Sequence, residues 1–407
     1  MAQITNFLKK IDWFILTPVL LLMGIGLLTI FSATYYSAEN QAYFTRQLIY
    51  ALLGIILMLL FNYLPFKVIV KSSYLFYILS LLSLILVLFA GVKGYGAERW
   101  LKLGPMRLQP SEFAKIATVM AVARYLTSNN RVVDHFKHLF MVFVLVLLPF
   151  ALIVKQPDLG TSLVFLALII PVLYMAGVSW FVIFVLLPPA ITMLVAFNFY
   201  AFAIWLAVIL LILIFTRQKW YLKAMVIAQH LLIGYVTPIL WNSLKAYQQK
   251  RILTFLKPEN DPQGAGYQII QSKIAIGSGG IWGKGFLQGS QSQLNFLPAH
   301  HTDFIFSVLG EEWGFMGVVA VLFIFLVLFL YLIWLANSVK SDYSRLVLIG
   351  LTTILTFHTL VNIGMTIGFA PVTGLPLPFL SYGGSFLLTS CAAIGLALNF
   401  SRNKFNV

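Results

Sequence analysis

The chain has 407 residues, 60% of them hydrophobic and only 10% charged, with 27 Lys and Arg against 12 Asp and Glu for a net charge of +15. That much apolar surface cannot be hidden in one soluble core, which excludes an ordinary water-soluble domain and makes lipid the main solvent. A single cysteine, Cys391, excludes an intramolecular disulfide and reads as a small packing residue.

Apolar stretches close to the roughly 20 residues of a bilayer crossing run from about Trp13 to Ala33, Gln47 to Leu64, Tyr74 to Gly91, Phe113 to Leu126, His138 to Val154 and Leu159 to Trp180. Further stretches run from about Phe181 to Phe199, Ala201 to Phe215, Lys223 to Leu244, Trp313 to Leu335, Val347 to Gly368 and Phe379 to Phe400. They predict an all-α polytopic bundle of about twelve spans, a single integral membrane domain over residues 1–407. The first stretch follows Lys9 and Lys10 but is long for a signal sequence and is expected to be retained. If the spans alternate, Lys67 and Lys71, Arg131 and Lys137, Arg217 with Lys219 and Lys223, Lys340 and Arg345, and Arg402 and Lys404 share one side with Lys9 and Lys10. By the bias of basic residues toward cytoplasmic loops, that side and both termini are cytoplasmic.

Two outer loops, 92–112 and 246–302, hold most of the polar sequence between spans. Long loops on a compact protein are more often functional than idle. Lys93, Arg99, Lys102, Arg107, Lys155, Lys257, Lys273 and Lys284 fall on the outer side, where insertion does not call for them, and point to an anionic ligand there. Within the second loop, residues 276–285 form a glycine-rich run ending Gly283-Lys284-Gly285. It is not a Walker A loop, because Ser278 replaces the first glycine and Gly285 the hydroxyl residue. A turn between short helices and an anion contact through Lys273 or Lys284 both fit it.

The segment Leu297-Pro298-Ala299-His300-His301-Thr302-Asp303-Phe304-Ile305-Phe306 places the Asp303 carboxylate at the outer edge of a span, a costly position unless the group is used or paired. Helix capping by Thr302 or Asp303 is compatible with a chemical role. The two histidines match no strong zinc pattern. Glu112 with Lys115, and Lys155 with Asp158, are opposite charges three residues apart at outer span ends, near enough on a helix to compensate one another or to line a polar cavity. Arg99 and Trp100 could anchor their loop at the interface. Pro371 to Pro378, before Ser381-Tyr382-Gly383-Gly384-Ser385, reads as a rigid re-entrant turn, and Ser381 has no base in its sequence context.

Together, Gly264-Ala265-Gly266-Tyr267-Gln268, Gln271-Ser272-Lys273 with the glycine run, His301-Thr302-Asp303-Phe304-Ile305-Phe306, and Pro376-Leu377-Pro378 with Ser381 to Ser385 closely resemble the SEDS family over nearly the whole chain. The Gln-Ser-Lys and Gly-Lys-Gly elements favour its rod-shape-determining branch over its division-specific one. The resemblance implies a peptidoglycan glycosyltransferase of the bacterial cytoplasmic (inner) membrane that polymerises lipid II on the outer face during cell elongation, with a class B penicillin-binding protein as partner. It also implies a divalent cation, Mg or Mn, and a cavity lined by residues matching Arg99, Trp100, Glu112, Lys115, Lys155 and Asp158. Asp303 matches the family's essential aspartate.

The residues fit this chemistry. Glycosyl transfer from a diphosphate needs one base for the acceptor hydroxyl, and its leaving group needs cations more than a proton. Asp303 is expected to serve as base or metal ligand. The outer cations, Lys273 and Lys284 among them, are expected to clamp diphosphate, with His301 and Ser381 as further substrate contacts. Two departures stand out: Ala299 occupies a position commonly acidic in the family, and 180–244 supplies about two spans beyond a family core of about ten. A lipid II flippase and a non-catalytic scaffold for the transpeptidase are the competing expectations.

Overall fold

The computed structural model describes residues 11–35, 41–94, 97–103, 106–128, 136–244, 249, 253–254, 265–294 and 296–404. Helices occupy the apolar stretches in chain order: α1 (Trp13–Thr34), α2 (Gln41–Tyr63), α3 (Phe66–Ala90), α4 (Pro110–Thr127), α5 (Phe136–Lys155) and α6 (Leu159–Met175). They continue as α7 (Trp180–Leu186), α8 (Pro188–Val195), α9 (Phe199–Phe215) and α10 (Trp220–Ser243). The short, more polar α11 (Ala265–Ser278) and α12 (Ser290–Gln293) precede α13 (Ile305–Ser338), α14 (Asp342–Thr366) and α15 (Gly384–Arg402). Among the described residues, eight helices are long and apolar enough to cross a membrane: α1, α2, α3, α5, α10, α13, α14 and α15.

Packing follows membrane logic, in which small and polar residues mediate helix contact while apolar ones face lipid. The more apolar α3 is mostly exposed, whereas the helix α15 is only moderately apolar yet mostly buried inside the bundle. Its Gly, Ser, Ala and Cys side chains permit close approach, and buried Cys391 lies where a Cβ on Gly54 of α2 would come within 2.8 Å of its sulfur. The Asp12 carboxylate caps α1 through Phe14 N (3.1 Å) and receives the Tyr331 hydroxyl (2.7 Å) and that of Ser401, tying α1, α13 and α15 together.

Two expectations are corrected. The first outer loop holds a three-stranded antiparallel sheet, β1 (Val92–Gly94), β2 (Ala97–Leu103) and β3 (Met106–Leu108), where only loop and span ends were expected. Its register pairs Val92 with Trp100, Leu101 with Leu108 and Lys102 with Arg107. The 181–199 stretch is two helices, because Pro188 lacks the N–H to continue α7 and instead opens α8 at its first turn.

The α7–α10 segment has its own small core of Ile209, Leu213 and Val226. At its centre Thr192 Oγ1 lies 2.6 Å from His230 Nδ1 and accepts the Trp205 indole N–H at 3.0 Å, linking α8, α9 and α10 through one hydroxyl. Thr192→Val strands both partners, at about 1–3 kcal/mol per buried orphan. Hydrogen exchange should rise across 188–240 in that variant while glycan synthesis persists.

The glycine run completes a break in α13. Gly314 has φ 64°, and a Cβ there would lie 2.2 Å from Gly283 N. The carbonyls of Glu311 and Glu312 accept Lys284 N and Gly285 N (3.0 Å each), while Phe315 N and Met316 N donate to Gly280 O (2.9 Å) and Ile281 O (3.1 Å). The run is therefore a backbone splint across the kink. Gly314→Ala should lower the melting temperature, since backbone strain alone costs about 1–3 kcal/mol before the clash.

Candidate active site

Asp303 ends a tight turn just before α13. Ala299, at φ 53°, presents its carbonyl to Thr302 N (3.1 Å) and Phe304 N (3.3 Å), which aims the following residues into the bundle. The turn is bolted to the chain before α15. Ser381 Oγ donates to Thr302 O (2.7 Å) and accepts Leu377 N (2.8 Å), and Tyr382 N donates to His301 O (3.0 Å). The Gln47 amide of α2 holds the same segment, donating to Ser381 O and accepting from Gly383 N, both at 3.2 Å. Asn362 of α14 donates to both Asp303 O (2.9 Å) and Leu375 O (2.8 Å). Backbone and side chains together fix where the carboxylate stands.

That carboxylate faces Gly374, which sits at φ 73° and brings the site loop close, since a Cβ there would lie 3.6 Å from Asp303 Oδ2, in van der Waals contact. Burial pushes the Asp303 carboxyl up to about 6, against the Thr302 hydroxyl and the Arg99 charge, which both pull it down. Arg99, carried on β2, stands between two carboxylates: its guanidinium lies 3.5 Å from Asp158 and also donates to Pro157 O, while its charge reaches Asp303.

Asp158 caps α6, accepting Thr161 N (3.2 Å) and Thr161 Oγ1 (3.0 Å), and receives Gln109 Nε2 at 3.3 Å. The expected Lys155–Asp158 pair is thereby corrected. Helix α5 ends at Lys155, so the three-residue spacing no longer places both side chains on one face, and Asp158 pairs with Arg99 while Lys155 is exposed. Gly160 lets the start of α6 abut the site loop, since a Cβ there would lie 2.5 Å from Thr373 O.

The Glu112–Lys115 pair forms as the spacing predicts, at 2.8 Å and almost fully buried in α4. Glu112 feels the Asp158 charge, which joins this pair to the Arg99 cluster. Lys115 Nζ also lies 2.7 Å from His358 Nε2 of α14. Trp100 is half-buried beside Arg99 on β2. His301 stacks on Tyr43 (centroids 4.6 Å apart) and meets Tyr382 edge-on at 5.9 Å. Burial and the neighbouring His300 hold it down to about 4, so it is neutral at physiological pH.

Of the other sequence candidates, Lys284 sits apart, its ammonium bound to Glu311 (2.6 Å) and Ser290 (2.8 Å) at the α13 splint, whereas Ser381 braces the Asp303 turn through backbone contacts. Lys273 is exposed, its side chain lying over Gly368. Lys257, Gly264 and the basic Lys9, Lys10 and Arg131 lie outside the described residues, as does the Lys93 side chain. His358, Asn362, Gln47, Glu311 and Glu312 were missed. Glu311 and Glu312 are 0% and 2% exposed inside an apolar helix, and carboxylates so placed are themselves a signal.

The family model of FtsW, RodA and SpoVE, described as a cell cycle protein, matches residues 12–205 and 189–406. The peptidoglycan glycosyltransferase MrdB of Escherichia coli K12 is 37% identical over 394 residues, covering 96% of this chain and 94% of that protein. The peptidoglycan glycosyltransferase RodA of Treponema pallidum is 36% identical over 427 residues, 97% and 98% of the two chains. A chain solved in a peptidoglycan synthase complex that coordinates polymerization and crosslinking superposes with a TM-score of 0.75 at 31% identity, over 98% of this chain and 99% of that one. Fold and relatives define a multi-pass membrane glycosyltransferase of peptidoglycan synthesis. The chain belongs to the SEDS family, the group of FtsW, RodA and SpoVE.

Proposed function

We propose that this glycosyltransferase polymerises lipid II into glycan strands on the outer face of the bacterial cytoplasmic membrane, during cell elongation and the maintenance of cell shape. The single observation that carries the reading is Asp303, a half-buried carboxyl raised toward neutrality, facing Gly374 and flanked by Arg99. The acceptor sugar hydroxyl bonds to the anomeric carbon, and its proton passes to the Asp303 carboxylate. The bond from the anomeric carbon to the undecaprenyl diphosphate oxygen breaks, and the electron pair leaves with the diphosphate. One displacement inverts the anomeric centre. Arg99 balances negative charge beside Asp303, and the exposed Lys155 and Lys273 add positive charge to the outer side. Lys102 and Arg107, both exposed, face one another across β2 and β3, a like-charge pairing that is unfavourable without an anion to bridge it.

A divalent cation fits this donor set. Mg²⁺ is commonly held by one or two carboxylates with substrate phosphates and water completing its shell, so in the alternative role Asp303 would hold the ion instead of taking the proton, and the ion would neutralise the diphosphate. We further infer about twelve spans with both termini cytoplasmic, the loops 92–112 and 246–302 forming the cavity. A class B penicillin-binding protein is the inferred partner, alongside the elongation machinery.

Purified protein incubated with lipid II should yield a glycan ladder, lost on chelation and restored by Mg²⁺ or Mn²⁺. Leaflet transfer of labelled lipid II without any polymer would favour a flippase, and no product from the chain alone would favour a scaffold.

A further inference from the structure

An ammonium has no acceptor, so the contact between Lys115 Nζ and His358 Nε2 at 2.7 Å requires that Nε2 accept. The ring proton must then sit on Nδ1, which faces Pro376 O at 3.2 Å and donates to it. The Phe386 ring stacks on the imidazole at 4.7 Å. One turn further along α14, Asn362 donates to the preceding carbonyl, Leu375 O, and to Asp303 O. The two residues are four apart and therefore share a helix face. Both are 0% exposed. One helix face thus grips consecutive carbonyls of the site loop, the backbone of Asp303 and the Lys115 ammonium.

We propose that His358 and Asn362 are positioning residues, which hold the Gly374–Pro376 loop and Asp303 as one unit in register with the Glu112–Lys115 pair. They touch neither substrate nor reacting atoms. Their effect is on the alignment of the Gly374–Pro376 loop with the carboxylate, and it falls on the chemical step rather than on lipid II binding. The inference rests on Asp303 as the reacting group.

Two substitutions separate the halves of the imidazole link. Asn at 358 keeps a donor near the Nδ1 position, and Gln keeps an acceptor near the Nε2 position. His358→Gln should lower kcat about 10- to 100-fold, the scale of an ångström-sized misplacement, with KM for lipid II within about threefold. His358→Asn should keep kcat within about threefold of wild type, because the Pro376 anchor survives. Melting temperatures of both proteins in the same detergent are measured beside the kinetics. Equal kcat losses in the two variants, following the melting temperature, would overturn positioning through Pro376, as would wild-type kcat in both. Asp303→Ala, run in parallel, separates this inference from the reading beneath it. Full activity in Asp303→Ala removes Asp303 from the reaction, whereas an inactive Asp303→Ala beside two fully active His358 variants sinks the positioning role alone.

Discussion

Asp303→Asn is expected to lower polymerisation about 10²- to 10⁴-fold, the usual scale for loss of a general base, while making the protein more stable. The sign follows from the raised carboxyl. A carboxyl lifted from 3.8 to about 6 in the folded chain is harder to ionise there than in the unfolded chain. Its penalty is absent at pH below about 4, grows between about 4 and 6, and is complete above about 6. Asn removes it. Allowing for the partial exposure of the residue, the gain at pH 7 is about 1–2 kcal/mol, seen as a higher melting temperature that vanishes as pH falls toward 4. A variant that is both inactive and less stable at pH 7 would mean that the carboxylate serves the fold.

Lys115→Met is expected to be the most damaging single change for stability. It leaves Glu112 as a buried carboxylate that loses its partner at 2.8 Å, and breaking such a pair from one side costs about 3–5 kcal/mol. It also removes the proton donor to His358 Nε2. The double change Glu112→Leu with Lys115→Met should recover much of the lost stability, since an apolar pair of similar volume is often as stable as the ions. It should not recover activity, because the buried cation of the cluster that joins Asp158 and Arg99 to Glu112 is gone. A thermal-shift series on the three proteins checks the first expectation and a lipid II gel assay the second. Equal instability of the single and double variants would contradict the account.

Hydropathy placed most of the long helices, but it ran α7 and α8 together across Pro188 and gave no sign of α11 and α12 in the polar loop. It could not rank the long helices, since burial inside the bundle depends on small residues such as those around Gly54 and Cys391. The β1–β3 sheet was invisible because its strands are short, two of them only three residues long. Glu112–Lys115 was legible, for Pro110 opens a helix and keeps the spacing of three on one face. Lys155–Asp158 misled by the same rule, since the helix ends between them. Asp303 was visible as a carboxylate at a span edge, but not its setting, which is tertiary: Gly374, Asn362 and Ser381 reach it from more than 50 residues away. His358 and Asn362 did carry a signal, two polar side chains four apart inside an apolar stretch.

The central claim is that a half-buried Asp303 must be ionised for glycosyl transfer, and the pH dependence of kcat/KM for lipid II tests it most directly. The account predicts a profile that falls on the acid side with a midpoint near 6, about tenfold down by pH 5, in a protein whose melting temperature has not dropped over that interval. A profile that stays flat to pH 4.5, or whose midpoint remains at an ordinary aspartate value, would contradict it.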